Sequence, residues 1–308
     1  MPQCVSKFEW FRKNAPDFLG ELRWDDPLSR HTYYRIGGSA PVVAVPKNEA
    51  DLLWLAEGLR TTGLPSFILG AGTNLLVSDS GFYGLVIKLT RLNRDISPMQ
   101  SGIHTGSGVL ISALLRKATQ EGWGGFEFLT GIPGSVGGAV VMNAGTHLGE
   151  TKDHLIAVDV FSLQDCKKIR FDKKDFKFEY RKNLFLPEGS IITAAEWRID
   201  PKDPADVKKA IDEILVRRKT TQPLDYPSCG SVFKNPVGMH AWQIIERLGL
   251  RGHRVGAAQF SEKHCNFIVN LGASRAEDVY ALIQLAKKRA ADELGIHLEE
   301  EVRYLGEM

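Results

Sequence analysis

No run in this 308-residue chain approaches the about 20 consecutive apolar side chains needed to cross a bilayer. The opening MPQCVSKFEWFRKN lacks the apolar core of a secretion signal. Cysteine is scarce: Cys4, Cys166, Cys229 and Cys265 are widely separated and form no Cys-x-x-Cys pair. The eight histidines form no His-Glu-x-x-His pattern. A zinc site or a disulfide framework is therefore not expected. Neither sign of charge dominates, with 39 basic against 37 acidic residues and a net charge of +2, so nothing draws the chain broadly to nucleic acid or to a membrane surface. The common nucleotide signatures are missing too. There is no Walker A motif, and the dinucleotide pattern G-x-G-x-x-G fails in GAGTNL, where Leu75 takes the third glycine's place, and in GSGVLI. These absences predict a metal-free protein of the cytoplasm.

What is present is ordinary globular material, 43% hydrophobic and 25% charged, enough for two or three cores. Residues 1–28 carry aromatics and charges without a period and read as an N-terminal extension. From Pro41 an α/β pattern begins. PVVAVP is a short apolar run; NEADLLWLAEGLRTTG is a helix with Asn48 as its N-cap and Leu52, Leu55, Ala56 and Leu59 on one face. SFILG and GLVIKL are strands. A glycine-rich section follows, with a helix in GVLISALLRKATQEG and strands in LIAVDVFSL and IITAAEWRI, and the spacer DPKDPAD (Asp200 to Asp206) resembles a boundary. Beyond it, Val207, Ala210, Ile211, Ile214 and Leu215 keep helical spacing. AWQIIERLGLRG is a helix capped by Gly249, and NFIVNLG is a strand. Ser274 with Glu277 makes a capping-box pattern before a face of Val279, Leu282, Ile283, Ala286 and Ala290. The end, GIHLEEEVRYLG, returns to strand character. The segments are 1–28, 29–92, 93–204, 205–296 and 297–308.

The 30 glycines concentrate in RIGGSA, GAGTNLLVSD, HTGSGV and GIPGSVGGAVVMNAG. One such loop reads as a structural turn. Four, interleaved with strands, suit a large cofactor whose pyrophosphate needs close main-chain approach and successive N–H groups. The basic runs RRK (Arg217 to Lys219) and DKKDFKFEYRK read as solvated faces or as anion sites. The loop PSCGSVFKNP offers several reactive side chains, Ser228, Cys229, Ser231 and Lys234, and composition does not choose among them.

VPKNEADLLWLAEGLRTTGLPSFILGAGTNLLVSDSGF resembles the first lobe of the FAD-binding domain of the p-cresol methylhydroxylase (PCMH) type, and GIPGSVGGAVVMNAG resembles its second FAD loop. With GSVFKNP and the terminal EEEVR in the same order, the chain from about Ser29 to Gly306 resembles the UDP-N-acetylenolpyruvoylglucosamine reductase (MurB) family, in its shorter, type II form. The resemblance implies an α+β fold: a two-lobed PCMH/VAO-type FAD-binding domain, a substrate-binding α/β domain, and a C-terminal strand returning toward the FAD site. It implies noncovalent FAD, NADPH as reductant, and reduction of the enolpyruvyl ether of UDP-N-acetylglucosamine. By motif match it makes Ser231 the proton donor, Arg181 the holder of the substrate carboxylate, and Glu301 the terminal catalytic acid. It assigns FAD contacts to Arg35 and Gly37; to Gly70, Ala71, Gly72, Thr73, Asn74 and Leu75; to Gly106 and Ser107; to Gly131, Ile132, Pro133, Ser135, Val136, Gly138 and Ala139; and to Asn143, Ala144, Gly145 and Ile191. Lys234 and Asn235 lie in the same loop and are candidate contacts for the diphosphate or sugar; His264, before a buried strand, reads as structural or as a lesser substrate contact; and Arg217, Arg218 and Lys219 stand equally as partners of the UDP phosphates. Strand alternation puts Glu299 and Glu301 on one face and Glu300 on the other. Two rivals remain: another flavoenzyme on the same FAD fold, acting on a small alcohol or sugar, and a catalytically silent nucleotide-sugar binder.

Overall fold

The computed structural model describes residues 2–308, with side chains from Lys7 onward. The chain forms two compact units. The first comprises Met1–Trp24, Pro41–Ala71 and Gly84–Val216, and the second Asp25–Ala40, Gly72–Tyr83 and Arg217–Met308.

In the first unit a four-stranded sheet runs in the order Glu21–Pro27, Ser39–Val45, Leu85–Lys88, Ser66–Leu69, with the last three strands parallel. Helix α1 (Pro2–Lys13) packs on helix α2 (Glu49–Thr62): the Trp10 and Phe11 rings lie 5.1 and 5.4 Å from that of Trp54. The segment expected to be an extension is therefore part of this unit, held by apolar burial rather than by any sequence period. Helix α2 starts as its sequence dictates, with Asn48 Oδ1 accepting from Asp51 N at 3.1 Å, and stops at left-handed Gly63.

A five-stranded antiparallel sheet follows, ordered Lys167–Asp172, Leu155–Ser162, Ser190–Trp197, Gly102–Gly106, Ile96–Met99. Its central strands are apolar on both faces because each face meets a core. Val158, Val160 and Ile192 pack with Leu114 and Leu115 of helix α3 (Ile111–Glu121). Phe161 and Ile191 pack with Leu52 and Leu55 of α2. Helices α4 (Val136–Val141) and α5 (Thr151–His154) flank the glycine loops. The spacer at Asp200 stays in this unit, where Asp200–Pro201 pairs with Trp123–Gly124. The division between units falls later, between Val216 and Arg217, inside helix α6 (Pro204–Thr221).

In the second unit, helices α7 (Ala241–Arg247) and α8 (Ala276–Leu294) pack against a three-stranded antiparallel sheet of Arg254–Val255, Ala258–Phe260 and Ile268–Asn270. The helical face Val279, Leu282, Ile283, Ala286, Ala290 is fully buried, as its spacing predicts. Its cap is not the expected one. Ser274 Oγ is buried with no hydrogen-bond partner among the described residues. The α8 N-terminus is satisfied instead by a capping box one residue later, in which Asp278 Oδ2 accepts from Arg275 N at 3.0 Å, and by Asp79, whose two carboxylate oxygens accept from Ala276 N at 2.8 Å and Glu277 N at 3.1 Å. A carboxylate from 197 residues away outcompetes the local hydroxyl because it serves two orphan donors and also meets the positive end of the helix dipole.

Candidate active site

The second unit ties three sequence-predicted segments into one knot. Residues Ser231 to Lys234 lie between two others. On one side Ser231 bridges Phe267, and Val232 N donates to Asn266 O at 2.8 Å. On the other, Phe233 bridges Glu300, Glu301 N donates to Val232 O at 2.8 Å, and Lys234 N donates to Glu299 O at 2.9 Å. The glycine loop joins through Asn74, whose Nδ2 donates to Glu301 O at 2.9 Å, while Arg303 N donates to Asn74 O at 3.1 Å. From there Arg303–Leu305 runs parallel to Leu75–Val77. Gly72 is required at its place: its φ is +69°, and a Cβ would overlap the His31 carbonyl oxygen. Gly37 is similarly constrained, with φ +127° and Val77 Cβ 2.5 Å from where a side chain would start. Arg35 precedes it in a left-handed conformation.

The neighbouring glutamates Glu299 and Glu300 take different lysines. Glu299 forms an ion pair with Lys234, and Glu300 accepts from Lys287 Nζ of α8 at 2.6 Å. Glu301 is half-buried. Asn235 Oδ1 accepts from Ala241 N at 3.0 Å, so its side-chain oxygen holds the start of α7. Cys229 is buried, with Sγ donating to Leu75 O at 3.2 Å. Burial pushes this thiol far up, which removes it as a thiolate nucleophile. Near Phe267, whose ring lies 4.9 Å from that of His264, is a group of unsatisfied polar atoms. Arg218 Nε, Gln222 Oε1 and His264 Nδ1 are buried without hydrogen-bond partners among the described residues. Burial, and then the positive charges of Arg251 and Arg218, pull His264 below the ordinary histidine range.

In the first unit the remaining glycine loops meet each other. Val136 N donates to Val109 O at 2.8 Å, Gly137 N to Ser107 O at 3.0 Å, and Ile111 N to Gly134 O at 3.0 Å. Ser135 caps α4 by accepting from Gly138 N, and a Cβ on Gly70 would lie 3.3 Å from the same Ser135 Oγ. Gly70, Ser107, Ser135, Val136 and Gly138 are thus brought together. Asn143 is fully buried and wired structurally. Its Nδ2 donates to Glu150 Oε2 and to Glu179 O, and its Oδ1 accepts from Lys152 N. That link fastens the NAG turn to the hairpin Phe178–Glu179/Lys182–Asn183, which carries Tyr180 and Arg181 at its tip. Phe176, Phe178 and Phe185 pack under it with ring separations of 5.0–5.7 Å, and the intervening lysines are exposed. Arg181 has φ +59°, a turn position that favours glycine. Its guanidinium donates to Gly145 O at 2.9 Å and lies 4.8 Å over the Tyr180 ring. Holding a non-glycine residue in this conformation costs about 1–3 kcal/mol. Ile191 differs from the others: its side chain is fully buried in the α2 core, which leaves only main chain for a ligand.

Comparison with known proteins agrees with this arrangement. A family model described as the UDP-N-acetylenolpyruvoylglucosamine reductase C-terminal domain matches residues 222–305, and one described as an FAD binding domain matches residues 40–171. The UDP-N-acetylenolpyruvoylglucosamine reductase of Syntrophobacter fumaroxidans is 42% identical over 99% of this chain and 92% of its own length. That of Geobacter metallireducens is 39% identical over 97% and 99%. The crystal structure of the Thermus caldophilus reductase (MurB) superposes with a TM-score of 0.78, at 36% identity over 93% of this chain and 99% of that one. The chain belongs to the UDP-N-acetylenolpyruvoylglucosamine reductase family. It is an oxidoreductase of that class, α+β in fold, with an FAD-binding domain. The rival reading as a different flavoenzyme on the same fold leaves the match over residues 222–305 without an explanation.

The residues present fit a bound FAD. Ser107 is 1% exposed with both main-chain groups engaged, yet its Oγ has no partner among the described residues. Sequence reasoning missed three contributors. Asn266 gave no motif signal. Asp79 acts across the unit's chain order, which no local pattern reports. Arg218 was visible only as one of three adjacent cations, and its burial, which separates it from exposed Arg217 and Lys219, is tertiary.

Proposed function

We propose that this chain reduces the enolpyruvyl ether of UDP-N-acetylglucosamine to UDP-N-acetylmuramate in the cytoplasm, as a step of peptidoglycan precursor synthesis, with NADPH as the reductant. Bound FAD supplies hydride to the β-carbon of the enol ether. Charge then develops on the α-carbon and spreads into the neighbouring carboxylate, so the protein must stabilise an enolate and deliver one proton. Ser231 donates that proton at the α-carbon. A serine hydroxyl serves here because an enolate is strongly basic. Arg181 holds the carboxylate, a task for a planar guanidinium. Glu301, when protonated, donates to the enolate oxygen. Arg218, with Gln222 and His264, offers buried unpaired polar atoms for the UDP portion, and Lys234 adds an ammonium group that anions can draw away from Glu299.

The observation that carries this reading is the main-chain knot joining Asn74, Val232 and Glu301, which holds a glycine loop, the Ser231 segment and the terminal acid in one framework. Its test separates the half-reactions. Ser231→Ala leaves flavin reduction by NADPH intact and slows reoxidation by the enolpyruvyl substrate by about 10²–10⁴-fold, the usual worth of general-acid assistance. Equal slowing of both half-reactions removes Ser231 from the role.

A further inference from the structure

The proton donor sits on an asymmetric mount. On its N-terminal side is Gly230, at φ +75° with nothing within 4 Å of a Cβ, after buried Cys229, whose Sγ donates to Leu75 O at 3.2 Å, and Ser231 itself bridges Phe267. On its C-terminal side every free polar group of the main chain facing Asn266 ends on that one residue. Val232 N donates to Asn266 O at 2.8 Å, Phe233 N donates to Asn266 Oδ1 at 3.0 Å, and Asn266 Nδ2 donates to Phe233 O at 2.8 Å. Asn266 is 3% exposed, so these bonds do not exchange with water. A side-chain amide has one acceptor oxygen and a donor nitrogen in a plane, as a peptide does, and so pairs with Phe233 as a neighbouring strand would. Asp cannot donate when ionised, Ser is too short to reach both groups, and Gln would overshoot by a methylene.

We propose that Asn266 is the positioning residue of the proton donor: its amide locks the Val232–Phe233 main chain and thereby aims Ser231 Oγ. The inference rests on the reading of Ser231 as the proton donor. Without the clamp, Phe233 N and O are buried and unpaired, and the segment moves to satisfy them. Ser231 is joined directly to Val232 and follows that movement, with glycine and no packed side chain at position 230. A displacement of 1 Å at a reacting group costs about 10²-fold in rate.

The test uses purified FAD-loaded protein and single-turnover absorbance of the flavin. Asn266→Ala slows reoxidation by the enolpyruvyl substrate by about 10²-fold and leaves reduction by NADPH at the wild-type rate. In Ser231→Ala/Asn266→Ala the second substitution adds no slowing beyond Ser231→Ala, because the group being aimed is already gone. Asn266→Asp supplies a readout that a merely structural role would not split between half-reactions. Ionised, it repels Phe233 O; protonated, it regains the donor. Its reoxidation rate relative to wild type therefore climbs as pH falls, while its rate of reduction by NADPH relative to wild type stays level. The proposal is overturned if Asn266→Ala slows both half-reactions alike, or if its full factor appears on top of Ser231→Ala. Should the alanine variant not fold, absence of that pH recovery in Asn266→Asp overturns it equally. Normal reoxidation in Ser231→Ala by itself identifies the other failure, that of the proton-donor assignment.

Discussion

Gly72→Ala discriminates between a loop that is merely left-handed and a loop built for close approach. Gly72 and Gly295, both in the second unit, have nearly the same backbone, at φ +69° and +66°. A Cβ at Gly295, the C-cap of α8, meets nothing within 4 Å, whereas one at Gly72 overlaps the His31 carbonyl. Alanine in either place costs about 1–2 kcal/mol for the left-handed conformation. At Gly72 the overlap must also be relieved, and the wall does not retreat. His31 is buried, and its Nε2 lies 2.7 Å from buried Asp26 Oδ2. The loop moves instead and loses the 2.9 Å bond from Tyr33 N to Gly72 O, worth about 1 kcal/mol. Gly72→Ala therefore destabilises by about 2–3 kcal/mol, and Gly295→Ala by the conformational part alone. The larger difference lies in the cofactor. If, as the family resemblance implies, this loop's amides hold the FAD pyrophosphate, displacing two of them at about 1.5 kcal/mol each weakens FAD by at least about 10²-fold, while Gly295→Ala binds FAD normally. Flavin content, fluorescence titration with FAD and thermal unfolding measure all three quantities. Equal melting temperatures for the two variants, with wild-type FAD affinity in Gly72→Ala, refute the reasoning.

The α8 cap gives a second contrast: Asp79→Ala costs about 1–2 kcal/mol in thermal or urea unfolding, whereas Ser274→Ala stays within about 0.5 kcal/mol. Glu196 is held below the usual carboxylate range by the two 2.7 Å hydrogen bonds from Arg170. A lowered folded-state value stabilises above the unfolded carboxylate range, about 4.3, and the contribution is lost as pH falls through the folded value. Glu196→Gln is accordingly less stable at neutral pH by about 1 kcal/mol or less, since Arg170 is half exposed, and a melting series shows the gap closing at acid pH. Cys229, with its thiol pushed up by burial, resists iodoacetamide in the native protein at mildly alkaline pH and reacts once unfolded; rapid native labelling at this position contradicts its inertness.

Regular elements were legible wherever their signals were local. The Asn48 cap, the buried face of α8, and the left-handed Gly249 just past α7 follow from spacing and residue type. Ser274 shows where local reading fails, since its pattern was correct in form but a distant carboxylate bound the same amides better. The N-terminal segment failed differently: a helix anchored by tryptophan and phenylalanine rings on another helix has no period of its own to read. In the site, the quoted motifs single out Ser231, Arg181 and Glu301, but carry no sign of the left-handed backbone at Arg181 or of the Asn266 amide bonded to Phe233.

The sequence by itself determined which residue types are available and in what order: glycine-rich loops, a guanidinium at Arg181, a hydroxyl at Ser231 and a carboxyl at Glu301. It also determined what is absent, because missing apolar runs and metal-ligand spacings need no fold to be counted. Only the tertiary structure decided which of several equivalent side chains is engaged. Of three adjacent cations it buried Arg218; of three adjacent glutamates it paired Glu299 and Glu300 with lysines and set Glu301 beside Val232 and Asn74. The physical reason is that residue type is a local property, whereas burial and hydrogen-bond pairing depend on partners tens to hundreds of residues away, brought within 3 Å only when the chain is folded.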